Sequence, residues 1–150
     1  YLEQLYTFGK PDRDPRERVI TVAYYSLVPI DRLSVGAASD AKELGWFNID
    51  QLPELAFDHR KIVGKAKQRL TAKLDYSTIA LQFMPSKFTL SELQKVYEII
   101  HGEALDKRNF RKRVMAYGCM EDTGDVNRNG SHRPARLYTL KSPGQVEFVK

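Results

Sequence analysis

The sequence contains a single cysteine, Cys119, so no disulfide bond can form within the chain. No apolar run approaches the ~18–20 residues that a membrane-spanning helix needs, and no signal peptide opens the sequence. The scarcity of cysteine fits a reducing compartment, and the other two absences argue against a membrane or secreted protein. We therefore expect a cytoplasmic protein.

Acidic residues are in the minority, and the imbalance is local. The chain has 24 Lys/Arg against 19 Asp/Glu, a net charge of +5. Residues 1–85 hold 12 basic and 11 acidic side chains, whereas residues 86–150 hold 12 and 8. Basic excess favours an anionic partner such as nucleic acid, a membrane surface or phosphates, and here it belongs to the C-terminal part.

The C-terminal part has the pattern of a winged helix-turn-helix. Thr89 and Glu92 form a capping-box signature, and apolar residues at helical spacing follow until Gly102. Asp106 is placed to cap a second helix across residues 107–117, and two predicted strands, 120–126 and 135–140, flank a polar tip. A third helix is normally expected before these elements. Residues 60–74 or the packing of the N-terminal part could supply it.

The second of these helices is strongly basic. Five of the seven residues from 107 to 113 are Lys or Arg. On a helix, Phe110, Val114 and Tyr117 share one side, and most of the cations project from the other. A helix of this form after a tight turn is typical of a recognition helix in the DNA major groove. The alternative is a merely solvated basic face.

The predicted DNA contacts lie on this helix and on the hairpin. Arginine and lysine suit phosphates and guanine edges, and asparagine suits an adenine edge. The predicted DNA-binding residues are Lys107, Arg108, Asn109, Arg111, Lys112, Arg128, Arg133 and Arg136. If they bind DNA, the protein is also associated with the nucleoid.

The N-terminal part alternates strand and helix signals. Residues 2–8 look like a strand, and residues 19–28 form an uncharged β-prone run that suits a strand buried on both faces. Residues 43–47 indicate another strand. A helix is expected from Asp58 onward, with Asp58 as its cap. The stretch 84–87 is the best boundary, which predicts domains at 1–84 and 85–150.

Residues 88–114, FTLSELQKVYEIIHGEALDKRNFRKRV, strongly resemble the DNA-binding segment of the Nudix-related transcriptional regulators, the family that includes the NrtR-like regulators of NAD metabolism. Residues 131–140, SHRPARLYTL, resemble that family's wing, and residues 4–29 and 45–62 resemble the second half of its Nudix-like domain. The resemblance covers nearly the whole chain. It implies an α+β fold: the C-terminal half of a Nudix-like α/β/α sandwich used as a ligand sensor, followed by a winged helix-turn-helix.

The resemblance also implies partners. Family members bind double-stranded operator DNA as homodimers, and in the NAD branch a repressor of NAD-biosynthesis genes is released by ADP-ribose or a related nucleotide. Other branches regulate sugar use, such as arabinose catabolism, and this sequence does not separate the branches. No cofactor is expected.

The glycine-led Nudix box with paired glutamates is absent from residues 1–150. Diphosphate hydrolysis needs several carboxylates on one helix face to hold Mg²⁺, and no segment offers them. We expect a sequence truncated before the box, and a chain that as given is not an enzyme. A complete Nudix-type nucleotide diphosphatase with a winged-helix appendage is the alternative. A winged helix that binds protein is a third hypothesis, which the basic helix and wing disfavour.

The remaining sensor half still offers ligand residues. Guanidinium groups in the crowded stretch around residues 13–18 could pair with a diphosphate bidentately. A loop held by local Asp–Arg pairs is equally compatible with the sequence. His59 either lines the sensor pocket or packs against the fold. The predicted ligand-binding residues are Arg13, Asp14, Arg16, Arg18 and His59.

Overall fold

The computed structural model describes residues 1–29, 45–128 and 134–149. Within these ranges, four strands and three α-helices are formed in the order β1 (Leu2–Phe8), β2 (Thr21–Ser26), α1 (His59–Tyr76), α2 (Leu90–His101), α3 (Lys107–Ala116), β3 (Met120–Asn127) and β4 (Ala135–Leu140). A 3₁₀ helix, Ile79–Phe83, joins α1 to the segment before α2. No helix in these ranges is long and apolar enough to cross a membrane.

β1 and β2 form an antiparallel hairpin in which Leu2 faces Ser26 and Phe8 faces Thr21. The predicted strand at 19–28 is shorter, and its prediction as buried on both faces is wrong. Its residues alternate between half-buried and exposed, with Val22 and Tyr24 exposed. Within the described residues no second layer covers that face, so the strand stays half-exposed.

The strand predicted at 43–47 is not formed where the structure describes it. Residues 45–48 have no regular structure, and residues 43 and 44 lie outside the described ranges. Trp46 and Phe47 are exposed. A β-prone run becomes a strand only when it has a ladder partner, and the described strands offer none to residues 45–47.

α1 is fixed to the β1–β2 hairpin by a half-buried polar cluster around Glu3. The Glu3 carboxylate accepts hydrogen bonds from Lys73 and Arg69 of α1 and from the hydroxyls of Tyr1 and Tyr25. Burial pushes the pKa of Glu3 upward, but the hydrogen bonds from Lys73, Tyr1 and Tyr25 outweigh it and lower the pKa to about 2. The cluster therefore holds a charged carboxylate between the hairpin and the helix.

The winged-helix elements form as predicted. The Thr89 hydroxyl accepts from the Glu92 amide while the Glu92 side chain accepts from the Thr89 amide, which confirms the capping box. Gly102 ends α2 at φ 81°, a left-handed conformation in which glycine is unstrained. Asp106 caps α3 by accepting from the Asn109 amide. β3 and β4 form the predicted antiparallel hairpin.

One continuous hydrophobic core underlies the winged helix, and it extends beyond it. Phe88, Leu93, Tyr97, Phe110 and Val114 pack in a cluster that also contains side chains from earlier in the chain. These earlier members are Leu27, Leu74, Ile79, Ala80, Leu81 and Met84. The last turns of α1 and the 3₁₀ helix thus take the place of the additional helix expected before α2. The division at 84/85 remains a prediction, and the packing crosses it.

Candidate nucleic-acid interface and effector cleft

The recognition-helix candidate α3 is anchored by two buried side chains. Phe110 and Val114, four residues apart, lie in the core, and the Phe110 ring meets Tyr97 of α2 edge-on at 5.2 Å between centroids. This anchoring turns the rest of the helix outward. The outward side chains are Lys107, Arg108, Asn109, Arg111 and Lys112, all exposed.

The four cations of this outward face are not neutralised by the fold. In the described parts of the chain, no carboxylate lies within ion-pair distance of Lys107, Arg108, Arg111 or Lys112. Lys107 and Arg111 lie one turn apart toward the wing, and Arg108 and Lys112 form a second such pair. Four like charges within about two turns repel one another, which an anionic partner would relieve.

Arg113 belongs to the same basic run but has a different role. Its guanidinium carbon lies 5.3 Å from the Tyr97 ring centroid and 5.9 Å from that of Phe110. Cation–π contacts of this kind hold a side chain against the aromatic pair that anchors α3. Arg113 therefore braces the helix from its packing side.

A concave surface of about 640 Å³ lies between the start of α2, the cationic face of α3 and the wing. Its basic members are Lys107, Arg111 and Arg136. Thr89, Leu90 and Ser91 also line it, and first-turn amides of a helix attract anions. The surface therefore combines three cations with a helix N-terminus, whose charge the Glu92 carboxylate of the capping box partly offsets. Cations in such a concave surface suit a nucleic-acid phosphate.

The wing presents Arg136 through an ion pair. Arg136 donates to the Asp122 carboxylate at 2.7 Å, and both groups are partly or largely exposed. The hydrogen bond to Asp122 raises the pKa of Arg136, and the Gly124 amide together with Arg136 lowers the pKa of Asp122. Asp122 thus holds the arginine in place and also competes with any phosphate for it.

Two further wing positions complete the predicted DNA set. Arg128 is exposed at the end of β3. Arg133 lies outside the described residues, as does the hairpin-tip His132.

Sequence reasoning did not single out three polar residues of the concave surface, namely Ser91, Asn127 and Tyr138. The capping box marks the start of α2, so it could have drawn attention to Ser91. Asn127 and Tyr138 lie at this surface because of the hairpin register and the bridge between Phe88 and Tyr138. No local sequence pattern predicts these pairings.

The second candidate site lies where the loop between β1 and β2 meets the start of α1. Arg13 makes a bidentate pair with Asp58, with N···O distances of 3.0 and 2.7 Å, and also bonds the Thr21 hydroxyl. The side chains are only 5% and 12% exposed. The hydrogen bonds with Asp58 raise the pKa of Arg13, and those with Arg13 lower the pKa of Asp58. Arg13 is thus committed to an internal contact.

This pairing corrects the role predicted for Asp58. Asp58 does stand at the N-cap position of α1, but its side chain makes no cap hydrogen bond. The carboxylate points to Arg13 instead, because a charge-assisted bidentate pair is stronger than a single bond to a backbone amide.

Arg16, unlike Arg13, has an exposed guanidinium. Its guanidinium donates two hydrogen bonds to the Asp14 carboxylate, from Nε at 3.0 Å and from Nη2 at 2.8 Å. The hydrogen bonds from Arg16 lower the pKa of Asp14 to about 2. The Arg16 side chain is 71% exposed and lies 4.7 Å above the Phe57 ring. Phe57 itself has a φ of 51°, an uncommon conformation for a bulky side chain.

The structure brings four of the five predicted ligand residues around one cleft of about 250 Å³. Its lining includes Arg13, Asp14, Arg16 and His59, together with Phe57. Arg18 lies apart from this cleft and donates to the Gly9 carbonyl oxygen at 2.6 Å. The predicted local Asp–Arg pairs are present, and they border a cavity, whereas the ligand-binding role of these residues stays a prediction. Among the described residues, no group of three or more His, Cys, Asp or Glu is arranged to hold a metal ion.

Comparison with known proteins places these features in a family context. Residues 80–140 match the NrtR DNA-binding winged helix domain family. The ADPR responsive transcriptional repressor NtrR of Acinetobacter baylyi is 37% identical over 140 residues, which are 92% of this chain and 55% of that protein. The ADP-ribose pyrophosphatase of Methanocaldococcus jannaschii is 45% identical over 56 residues, 37% of this chain and 32% of that protein.

Solved structures agree in fold. The chain superimposes on Shewanella oneidensis NrtR complexed with a 27mer DNA with a TM-score of 0.81 and 38% identity, covering 94% of this chain and 64% of that one. A MutT/nudix family protein from Enterococcus faecalis matches with a TM-score of 0.70 and 31% identity, covering 94% and 62%. The chain thus spans about half the length of the Acinetobacter relative, and its fold is part of a Nudix-like sandwich followed by a winged helix.

Proposed function

We propose that this chain is a ligand-responsive DNA-binding regulator of the Nudix-related transcriptional regulator family. The observation that carries this proposal is the outward face of α3, where four exposed cations have no carboxylate partner among the described residues. They adjoin a concave surface closed on its other sides by the start of α2 and the wing. A DNA backbone supplies the missing negative charge.

The proposed partner is double-stranded operator DNA. Lys107, Arg111 and Arg136 are placed to meet phosphates around the concave surface. Arg108 and Asn109 lie further out on α3, where side chains reach base edges in the major groove. The DNA complex of the Shewanella relative supports this assignment. We propose a homodimer that recognises an inverted repeat, in the cytoplasm and associated with the nucleoid.

The proposed effector is ADP-ribose or a related nucleotide, and the proposed action is repression of NAD-biosynthesis genes until the effector binds. The name of the Acinetobacter relative supports this choice. In the cleft beside α1, Arg16 is the guanidinium that a diphosphate can reach, in exchange for Asp14. Arg13 supports the cleft wall through Asp58, and His59 lines the cavity. We keep the division into a sensor, 1–84, and a DNA-binding domain, 85–150.

A selection of duplexes from a random DNA pool tests the proposal. The intact protein is expected to enrich an inverted repeat, and ADP-ribose is expected to abolish that enrichment. A parallel selection with arabinose distinguishes a sugar-responsive member of the family. Recovery of no common site, with only weak salt-sensitive binding, would contradict sequence-specific regulation.

A nucleotide diphosphatase is the second candidate, favoured by the local identity to the Methanocaldococcus ADP-ribose pyrophosphatase. It predicts release of AMP from ADP-ribose in the presence of Mg²⁺. The double variant Arg108→Ala with Lys112→Ala discriminates the two functions, since it should remove DNA binding and leave any hydrolysis unchanged. A regulator that only senses its ligand should return ADP-ribose intact.

A further inference from the structure

The chain beyond the wing turns back and binds the end of α1. The chain after β4, residues 141–149, is here called the C-terminal strap. Its last residues lie antiparallel to residues 76–78, with Phe148 opposite Ser77. The Thr78 amide donates to the Glu147 carbonyl oxygen at 2.9 Å, and the Val149 amide donates to the Tyr76 carbonyl oxygen at 2.8 Å. The strap is therefore a short additional ladder on the junction between α1 and the 3₁₀ helix.

Buried side chains reinforce this ladder. The Thr78 hydroxyl accepts from the Glu147 amide at 2.9 Å, and the Gln82 amide nitrogen donates to the Gln145 carbonyl oxygen at 3.0 Å. Thr78 and Gln82 are both buried. Four hydrogen bonds, two of them through buried side chains, therefore fix the strap to this junction.

The other end of the strap begins at the base of the wing. After β4, the Lys141 amide donates to the Cys119 carbonyl oxygen at 3.0 Å, and its ammonium group donates to the Gly118 carbonyl oxygen at 2.7 Å. Gly118 and Cys119 connect α3 to β3. The strap thus runs from the point where recognition helix and wing meet to the last residue of α1.

α1 carries this connection to the proposed effector cleft. Its 18 residues span about 27 Å, from His59 in the cleft wall to Tyr76 under the strap. Arg69 and Lys73 fix it to β1 through Glu3.

We propose that the C-terminal strap couples the effector cleft to the wing, so that movement of α1 on effector binding repositions β4 and α3 on DNA. The inference rests on the proposed function and adds its route of transmission. Leu74 and the 3₁₀ helix already connect α1 to α2 through the core. The strap adds a second attachment, which runs from the end of α1 to the base of the wing, and two attachments convert a shift of α1 into a rotation of the recognition surface.

The test measures coupling, that is, the ratio of the operator Kd with ADP-ribose to the Kd without it, in the intact protein. Thr78→Val removes the hydroxyl that receives the Glu147 amide and keeps the shape of the side chain. Val149→Pro removes the amide that donates to Tyr76. The matched control is Thr78→Ser, which retains the hydroxyl. The double variant Thr78→Val with Val149→Pro should bind operator within about three-fold of the unaltered protein when no effector is present.

In the unaltered protein and in Thr78→Ser, ADP-ribose should weaken operator binding by a factor in the ~5–150-fold range of allosteric couplings. In the double variant, the factor by which ADP-ribose weakens operator binding should be at least about five times smaller than in the unaltered protein. Full coupling in a double variant whose circular dichroism is unchanged would overturn the strap proposal alone. An unaltered protein whose Kd ignores ADP-ribose would overturn the proposed effector, and the strap proposal with it.

Discussion

Removing Arg108 and Lys112 together should change how operator binding depends on salt. Both side chains are exposed on the outward face of α3, and in the described chain neither has a carboxylate partner that the substitution would strand. Arg108→Ala with Lys112→Ala therefore removes charge without disturbing Phe110 and Val114, which hold the helix. The folded structure should be preserved, and the effect should fall on DNA binding alone.

The magnitude follows from counterion release. Each phosphate that a cation neutralises contributes ~0.9 to the slope of log K against log salt concentration. If both residues meet phosphates, the slope falls by about 1.8 per protomer, or about 3.6 for a dimer. If Arg108 instead reads a guanine edge, the slope falls by about half as much, and discrimination at one base pair drops by ~1–3 kcal/mol.

Fluorescence anisotropy of a labelled operator, titrated across a range of salt concentrations, measures this slope. The matched control is Lys65→Ala with Lys67→Ala, which removes the same charge from α1. The control should shift affinity slightly and leave the slope within error of the unaltered protein. An equal slope in all three proteins would refute the assignment of α3 as the DNA-contacting helix.

Three further predictions concern the supports of the site. Phe110→Ala should cost ~3–5 kcal/mol of unfolding free energy in urea denaturation because the side chain is 3% exposed. Met115→Ala, whose side chain is 47% exposed, should cost less than ~0.5 kcal/mol. Equal costs would contradict the packing of α3. Asp122→Asn should release Arg136 and tighten operator binding about two- to five-fold, and Asp12→Asn, which makes the same charge change far from the wing, should not. Glu3→Gln should weaken the loss of unfolding free energy at acid pH. Because the pKa of folded Glu3 is lowered from 4.5 to about 2, the stabilisation from its charge is present above pH 4.5 and is lost as the pH falls toward 2. If thermal melts across that window show the same pH dependence of Tm in Glu3→Gln as in the unaltered protein, the cluster adds no stability.

The winged helix could be predicted from the sequence because its signals are local. Thr89 with Glu92, and Asp106 before the basic run, are capping patterns whose partners lie three residues away. Gly102 ends α2 because the left-handed conformation favours glycine. Short-range rules of this kind need no knowledge of the tertiary fold, and the structure confirms each of them.

Long-range pairing decided what the sequence could not show. Asp58 has the position of a helix cap, yet its partner is Arg13, 45 residues earlier in the chain. Arg113 looks equivalent to its basic neighbours, but its place on the helix directs it over two aromatic rings. The burial of residues 19–28 was overestimated for a similar reason. An uncharged run shows β-strand propensity, but it does not show which other helices or strands pack over the strand.

The cleft residues show the same limit at the level of function. Arg13 and Arg16 look alike in the sequence, as each is an arginine within two positions of Asp14. In the structure one is nearly inaccessible and braces Asp58, while the other remains exposed above Phe57. A guanidinium bound internally on two sides cannot bind a diphosphate without breaking the wall of the cleft, so Arg16 is the stronger ligand candidate.

The continuity of the core gives the proposed regulation its physical basis. Leu74 at the end of α1 is fully buried with Phe88, Leu93 and Tyr97. Tyr97 in turn contacts Phe110 of α3. Since interiors are close-packed and deform little, α1 cannot move relative to α2 without displacing side chains that set the position of α3. In the proposed function, a sensor that shares a core with its winged helix can therefore change DNA binding without a flexible linker. Two domains with separate cores could each change conformation without moving the other.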